Sequence, residues 1–153
     1  MVILPSSDLW CGSDPSDIEA YLVTLTRSEG AYPVSSYRPV VCKCGSDAFH
    51  VARACEVTQL SCTQCDVERY VLDCPEGWEE AVEEEGSETI VCIGCGTSAA
   101  NVGAGFAGYD SGEGIKWCYV GLRCITCGGL SCVNDFKVGR GPAETVYDEL
   151  KGF

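Results

Sequence analysis

The sequence predicts a small metal-bound α+β protein. It reads as two antiparallel β units of three strands each, with an N-terminal helix, an acidic linker helix and a short C-terminal helix. Three observations predict this. Eight of the 13 cysteines fall into four close pairs, Cys42/Cys44, Cys62/Cys65, Cys92/Cys95 and Cys124/Cys127, which is the ligand count of two closed tetrahedral sites. The residues between the pairs alternate as strands do. The segments outside them carry helix starts, apolar stripes and stops. A hydrophobic content of 46% excludes a disordered chain. No run nears the ~20 apolar residues that span a bilayer, and Met1–Pro5 is too short and lacks the basic flank of a secretory leader. The expected setting is the cytoplasm.

In chain order, Asp14 suits a helix N-cap and Pro15 the first helical position. Ile18, Tyr21, Leu22 and Leu25 then form one stripe, and Gly30 is placed to end the helix. Tyr32 to Pro39 reads as an extended connector, since each proline biases its predecessor away from helix. Phe49–Cys55, Thr58–Ser61 and Glu68–Leu72 read as the strands of the first unit. Residues 73–88 hold eight acids and no base. Pro75 can open a helix there and Gly86 close it, with Trp78, Ala81 and Val82 as a narrow apolar stripe. In the second unit Val102–Phe106 and Trp117–Leu122 read as strands around a turn at Asp110-Ser111-Gly112-Glu113-Gly114, and Ser131–Phe136 as the strand that follows. Gly141-Pro142 opens a last helix with Val146 and Leu150 one turn apart.

This divides the chain into an N-terminal helix and connector (1–39), a first metal unit (40–73), the acidic linker helix (74–89), a second metal unit (90–140) and the C-terminal helix (141–153). The units read as an internal repeat. Cys44-Gly45 and Val51 recur at an offset of 51 as Cys95-Gly96 and Val102, and Cys62, Cys65 and Asp73 at an offset of 62 as Cys124, Cys127 and Asp135.

Close cysteine pairs at this spacing point to metal rather than disulfides. A unit of about 35 residues buries too little apolar surface to offset its chain entropy, and a bound metal supplies the difference. Gly45, Gly96 and Gly128 follow the second cysteine of a pair, where the backbone must turn. The first pair is short, Cys42-x-Cys44, and Cys55 or Cys74 could substitute for Cys42. Cys11, Cys55, Cys74, Cys118 and Cys132 are expected as small core residues.

Each unit runs knuckle, hairpin, knuckle, strand, and this resembles the zinc ribbon (rubredoxin-like) fold over Val40 to Asp73 and Ile90 to Phe136. The stretch Trp117…Val120-Gly121-Leu122-Arg123-Cys124…Cys127-Gly128…Asp135-Phe136-Lys137, with Cys-x-Cys-Gly upstream, is similar to small bacterial tandem zinc-ribbon proteins. That resemblance implies paired ribbons and a bacterial cytoplasmic setting, and no activity.

Two Zn²⁺ ions are the expected cofactors, with iron the lesser alternative. Four thiolates leave no open coordination position, which disfavours metal-assisted hydrolysis. Cys/His catalysis has only His50 to draw on, and no phosphate loop or hydrolase motif is present. The leading expectation is a non-enzymatic zinc protein that binds another protein. The net charge of −13 makes a basic partner the favoured class, as for an immunity or adaptor protein, with Glu79, Glu80, Glu83 and Glu84 as candidate contacts. The alternative is nucleic-acid binding through the second unit, where Lys116, Arg123, Lys137 and Arg140 stand beside Trp117 and Tyr119. A second alternative is rubredoxin-like electron transfer with iron.

Overall fold

The computed structural model describes residues 3–6, 9–109 and 114–150. The elements in order are β1 (Ile3–Ser6), β2 (Leu9–Gly12), α1 (Asp17–Ser28), β3 (Ser36–Pro39), β4 (Phe49–Ala54), β5 (Val57–Cys62), β6 (Glu68–Tyr70), α2 (Pro75–Glu85), β7 (Glu88–Thr89), β8 (Ala99–Gly108), β9 (Ile115–Cys124), β10 (Gly129–Arg140) and α3 (Ala143–Asp148). The fold is α+β and mostly antiparallel sheet. Residues 110–113 of the expected hairpin turn lie outside the described residues.

The strands do not form two separate sheets. They join in one, in the order β1-β2-β10-β9-β8-β4-β5-β6, with β3 on β8 and β7 on β4. The join is short: Phe49 pairs with Ala100 and His50 with Ala99. Beyond it β4 turns to β7 and β8 to β3. Strand edges explain the additions. A β edge presents unpaired N–H and C=O groups that need partners, and β3, β7 and the β1–β2 hairpin supply them. The 32–39 connector is extended as expected, but Ser36–Pro39 also pairs with β8. The N-terminal residues, which gave no strand signal against their neighbours, pair with β10 at Gly129↔Cys11 and Leu130↔Trp10.

Within the sheet, two registers correspond. Phe49 faces Cys62 and Val51 faces Leu60. Ala100 faces Cys124 and Val102 faces Leu122. In the third strands Glu68 faces Ser61 and Arg69 faces Leu60, while Leu130 faces Arg123 and Ser131 faces Leu122.

Period-2 alternation splits β8 and β9 into two faces. Val102, Ala104, Phe106, Cys118, Val120 and Leu122 enter the main core with Val51, Leu60, Val71 and Phe136; α3 adds Val146, and the turn just past it adds Leu150. The other face carries Gly103, Gly105 and Gly121. A Cβ on Gly121 would stand 2.7 Å from Ile18 Cγ2, and one on Gly105 2.9 Å from Leu22 Cδ1. Missing side chains thus make the bed on which α1 lies, and its stripe of Ile18, Tyr21 and Leu22 is buried there.

α1 begins later than expected. Asp14 Oδ1 accepts from the Ser16 amide at 2.8 Å, so it shapes the turn before the helix instead of capping it. Asp17, the first helical residue, accepts from the amides of Ser13 (2.6 Å) and Asp14 (3.2 Å). Gly30, at φ +67°, follows the helix end. α2 has Pro75 in its first turn and Gly86 at its end, with the Cys74 sulfur accepting from the Gly77 amide. Its Trp78, Ala81 and Val82 lie on Ala54, Val57 and Tyr70.

Candidate metal centres

Each centre is assembled from a knuckle before a hairpin and a knuckle after it. Cys62 is the last residue of β5 and Cys124 the last of β9, so the hairpin registers place both beside the first knuckles. At every knuckle the chain reverses through a residue of positive φ whose amide returns to the carbonyl of the pair's first cysteine. Gly96 (φ +77°) donates to Cys92 O at 2.7 Å, Gly128 (φ +80°) to Cys124 O at 2.9 Å and Asp66 (φ +63°) to Cys62 O at 3.1 Å. The short Cys42-x-Cys44 loop closes one residue sooner, with Gly45 (φ +94°) donating to Cys42 O at 2.9 Å. A tighter turn thus absorbs the missing residue. Asp66 was not foreseen as a turn residue; aspartate tolerates the left-handed region without announcing it as glycine does.

Two groups of four sulfurs result, Cys42/Cys44/Cys62/Cys65 and Cys92/Cys95/Cys124/Cys127, with the Sγ atoms of each group all within 4.8 Å of one another. Cys42–Cys65 and Cys44–Cys62 are 3.5 Å apart, Cys92–Cys127 3.4 Å and Cys95–Cys124 3.5 Å. A metal–sulfur bond of ~2.3 Å gives a tetrahedron with an edge of about 3.8 Å. The separations fit that figure and are far from the ~2.05 Å of a disulfide. All thirteen cysteines are free thiols. Cys55 and Cys74 lie outside both groups. Zinc and iron both take this donor set.

Electrostatics within each group also favour a cation. Four crowded sulfurs cannot all ionise unaided. Backbone amides of Cys65 and Gln64 hold Cys62 down to about 6. The neighbouring Thr97 hydroxyl, 3.3 Å away, and its amide do the same for Cys95, also to about 6. The Val67 amide pulls Cys65 down, but the surrounding thiols and burial outweigh it and push Cys65 up to about 12. Burial leads the rise of Cys127 to about 12. A divalent cation removes the conflict by stabilising every thiolate at once.

The second centre carries an additional clasp. Arg123 points at the N-terminal corner: Nε donates to Gly12 O (3.0 Å), Nη2 to Ser13 O (3.1 Å) and Nη1 to Asn101 Oδ1 (3.1 Å). The Gly12 amide donates to Gly128 O at 2.8 Å. Nothing in the sequence signals this contact between residues more than a hundred positions apart.

The other cysteines divide. Cys118 is fully buried, while Cys11, Cys55 and Cys132 are half-buried. Cys74 is exposed at the start of α2, which corrects its expected place in the core: its sulfur serves the helix end. His50 is exposed, with Nδ1 3.1 Å from Ser98 Oγ.

The six residues of the nucleic-acid alternative do not make one exposed face. Tyr119 is buried and its hydroxyl donates to Tyr32 O. Trp117 is half-buried against Tyr32 and donates to Asp135 Oδ1 at 3.0 Å. Arg123 is spent on the clasp. Arg140 pairs with Glu149 at 2.5 Å, and Lys116 lies over the Tyr32 ring. Only Lys137 and Arg140 are exposed. Tertiary contacts thus engage Arg123, Arg140 and Lys116, while Lys137 stays exposed. Glu79, Glu80, Glu83 and Glu84 are all exposed on α2.

No family model matches the chain, and comparison with curated proteins and with solved structures found no match. Among the described residues no helix is long and apolar enough to cross a membrane.

Proposed function

We propose that the chain is a non-enzymatic protein with two structural Zn²⁺ ions, built from tandem zinc ribbons, whose role is to bind another protein. The observation that carries this reading is the pair of complete four-thiol centres. Four protein ligands close a zinc ion's coordination sphere, so the metal holds the fold and offers no position to a substrate. The corresponding registers of β4-β5-β6 and β8-β9-β10 support duplication of one ribbon. Free thiols in this number suit a reducing compartment such as the bacterial cytoplasm. The net charge of −13, with the exposed acids of α2, favours a basic partner.

Elemental analysis of the purified chain tests the metal: two zinc per chain in a colourless preparation is expected. A red preparation with iron would replace this reading with rubredoxin-like electron transfer. Recovery of a stable partner from the native host by pull-down at several salt concentrations tests the binding role, and repeated failure to recover one would refute it.

A further inference from the structure

The two metal units meet at equivalent places. Phe49 and Ala100 stand 51 positions apart, the same offset that relates Cys44 to Cys95, and they pair with each other in antiparallel strands. Equivalent residues that face each other in this way give the join an approximate two-fold relation.

Each unit also ties down the loop after its first knuckle in the same manner. The Cys42 amide donates to Ser46 O at 2.9 Å, and the Cys92 amide to Thr97 O at 2.9 Å. Two residues further on, Ala48 O accepts from the Thr63 amide at 3.2 Å and Ala99 O from the Ile125 amide at 3.3 Å. Residues 46–48 and 97–99 are thus strapped to both knuckles of their own centre. Asp47 and Ser98 are the middle residues of the two loops, and their places follow from where the ligands of their own centre sit.

The other unit grips each of these middle residues. Asn101 Nδ2 donates to Asp47 O at 3.0 Å. In the opposite direction His50 Nδ1 lies 3.1 Å from Ser98 Oγ. Asn101 and His50 are again 51 positions apart. The two contacts differ in weight. Asn101 is 4% exposed, whereas His50 faces solvent. A buried amide that loses its partner cannot replace it with water, and an exposed imidazole can. Asn101 also continues the connection, because its Oδ1 accepts from Arg123 Nη1 and Arg123 Nε holds Gly12 O. The Gly12 amide then reaches Gly128 O, behind Cys127. An unbroken line of polar contacts therefore runs from the loop of the first centre to the last knuckle of the second. The packing is continuous as well: the ligands Cys42 and Cys62 share one core cluster with Val102, Leu122 and the ligand Cys124's neighbour across β8, Ala100.

Resting on the two-metal reading above, we propose that the two centres are coupled across this join: metal at either one raises the affinity of the other, and Asn101 is the principal link. Metal at one centre fixes a loop that the other unit must hold. The half-loaded chain is then scarcer than two separate sites would make it, and loading with zinc is correspondingly steeper.

The test uses the full chain, with Zn²⁺ partitioned against a chelating dye. Cys95→Ser with Cys127→Ser disables the second centre, and Cys44→Ser with Cys65→Ser the first; all four are exposed ligands, so neither pair puts a new polar group into the core. The overall two-zinc binding constant of the unmodified chain should exceed the product of the two single-centre constants about fivefold or more. Asn101→Asp keeps an acceptor for Arg123 and loses the donor to Asp47 O. Introduced into all three forms, it should bring the ratio towards one, and Ser98→Ala should lower it by less. A merely structural loss at Asn101 would weaken both single-centre constants and leave the ratio as it was. If Asn101→Asp holds fewer than two zinc, Asn101→Ser takes its place with the same expected direction. A ratio near one in the unmodified chain overturns the coupling and leaves the two-metal reading standing. A high ratio that neither variant lowers overturns Asn101 as the link. A chain that binds no zinc overturns both readings.

Discussion

Gly128→Ala tests how tightly the second centre depends on the N-terminal corner. Gly128 closes the Cys124/Cys127 knuckle at φ +80°, where an alanine costs roughly 1–2 kcal/mol of backbone strain. A Cβ there would also stand 2.5 Å from Gly12 O. That oxygen accepts from Arg123 Nε, and the Gly12 amide donates to Gly128 O. Relieving the clash requires Gly12 to move, which weakens one neutral hydrogen bond of about 1 kcal/mol and one from a charged donor of roughly 1.5–3 kcal/mol. Partial loss of both, added to the strain, gives a destabilisation of about 2–4 kcal/mol. For a chain of this size that lowers Tm by about 5–15 °C. The measurement is thermal unfolding at fixed, saturating free zinc, since bound metal shifts the apparent stability by mass action. Asp66→Gly is the matched control. Asp66 holds the same place in the first centre at φ +63°, so glycine should be neutral or slightly stabilising there. A Gly128→Ala protein that melts within about 1 °C of wild type would refute the reasoning at Gly128 altogether, and a drop of only about 2–4 °C, which the backbone strain alone accounts for, would refute the clasp.

Cys124→Ser should release the second metal and abolish hydrogen-exchange protection across Ala99–Gly108 and Ile115–Cys124, since structural zinc contributes on the order of 10 kcal/mol to such a unit. Cys11→Ser should keep two zinc per chain with a cost of about 1 kcal/mol or less, although Cys11 pairs with Gly129 beside the second centre; equal zinc content and protection in the two variants would sink the ligand assignment. Acid should release metal: Cys62 and Cys95 are lowered to about 6 from an ordinary 9, so their contribution is complete above the ordinary value and disappears as pH falls through about 6. Competition with a chelating dye should show zinc affinity dropping steeply across that window, and a flat affinity between about pH 8 and 5 would contradict thiolate ligation.

Much of this molecule was legible in its sequence because its signals are local. Cys-x-x-Cys spacing is a property of a few adjacent residues, and so are the proline and glycine that bound α2 and the alternation that marks β8 and β9. The glycines behind three of the four knuckles were visible for the same reason, while Asp66 was not, because only its backbone angle reveals its role. What the tertiary structure decided is what sequence-distant residues do to one another. One sheet formed where two were expected, because β4 and β8 meet over two residue pairs and free strand edges recruit β1–β2, β3 and β7. Asp14 reads as a cap by residue type, but the carboxylate of Asp17 takes the Ser13 and Asp14 amides and moves the helix start. By residue type Arg123 and Trp117 are candidates for the alternative of a nucleic-acid face. Whether a charge or a ring is available depends on who else reaches it, and here Gly12, Ser13, Asn101 and Asp135 arrive first. Spacing along the chain specifies which residues can hold a metal; packing across the chain settles which of the remaining side chains still face the solvent.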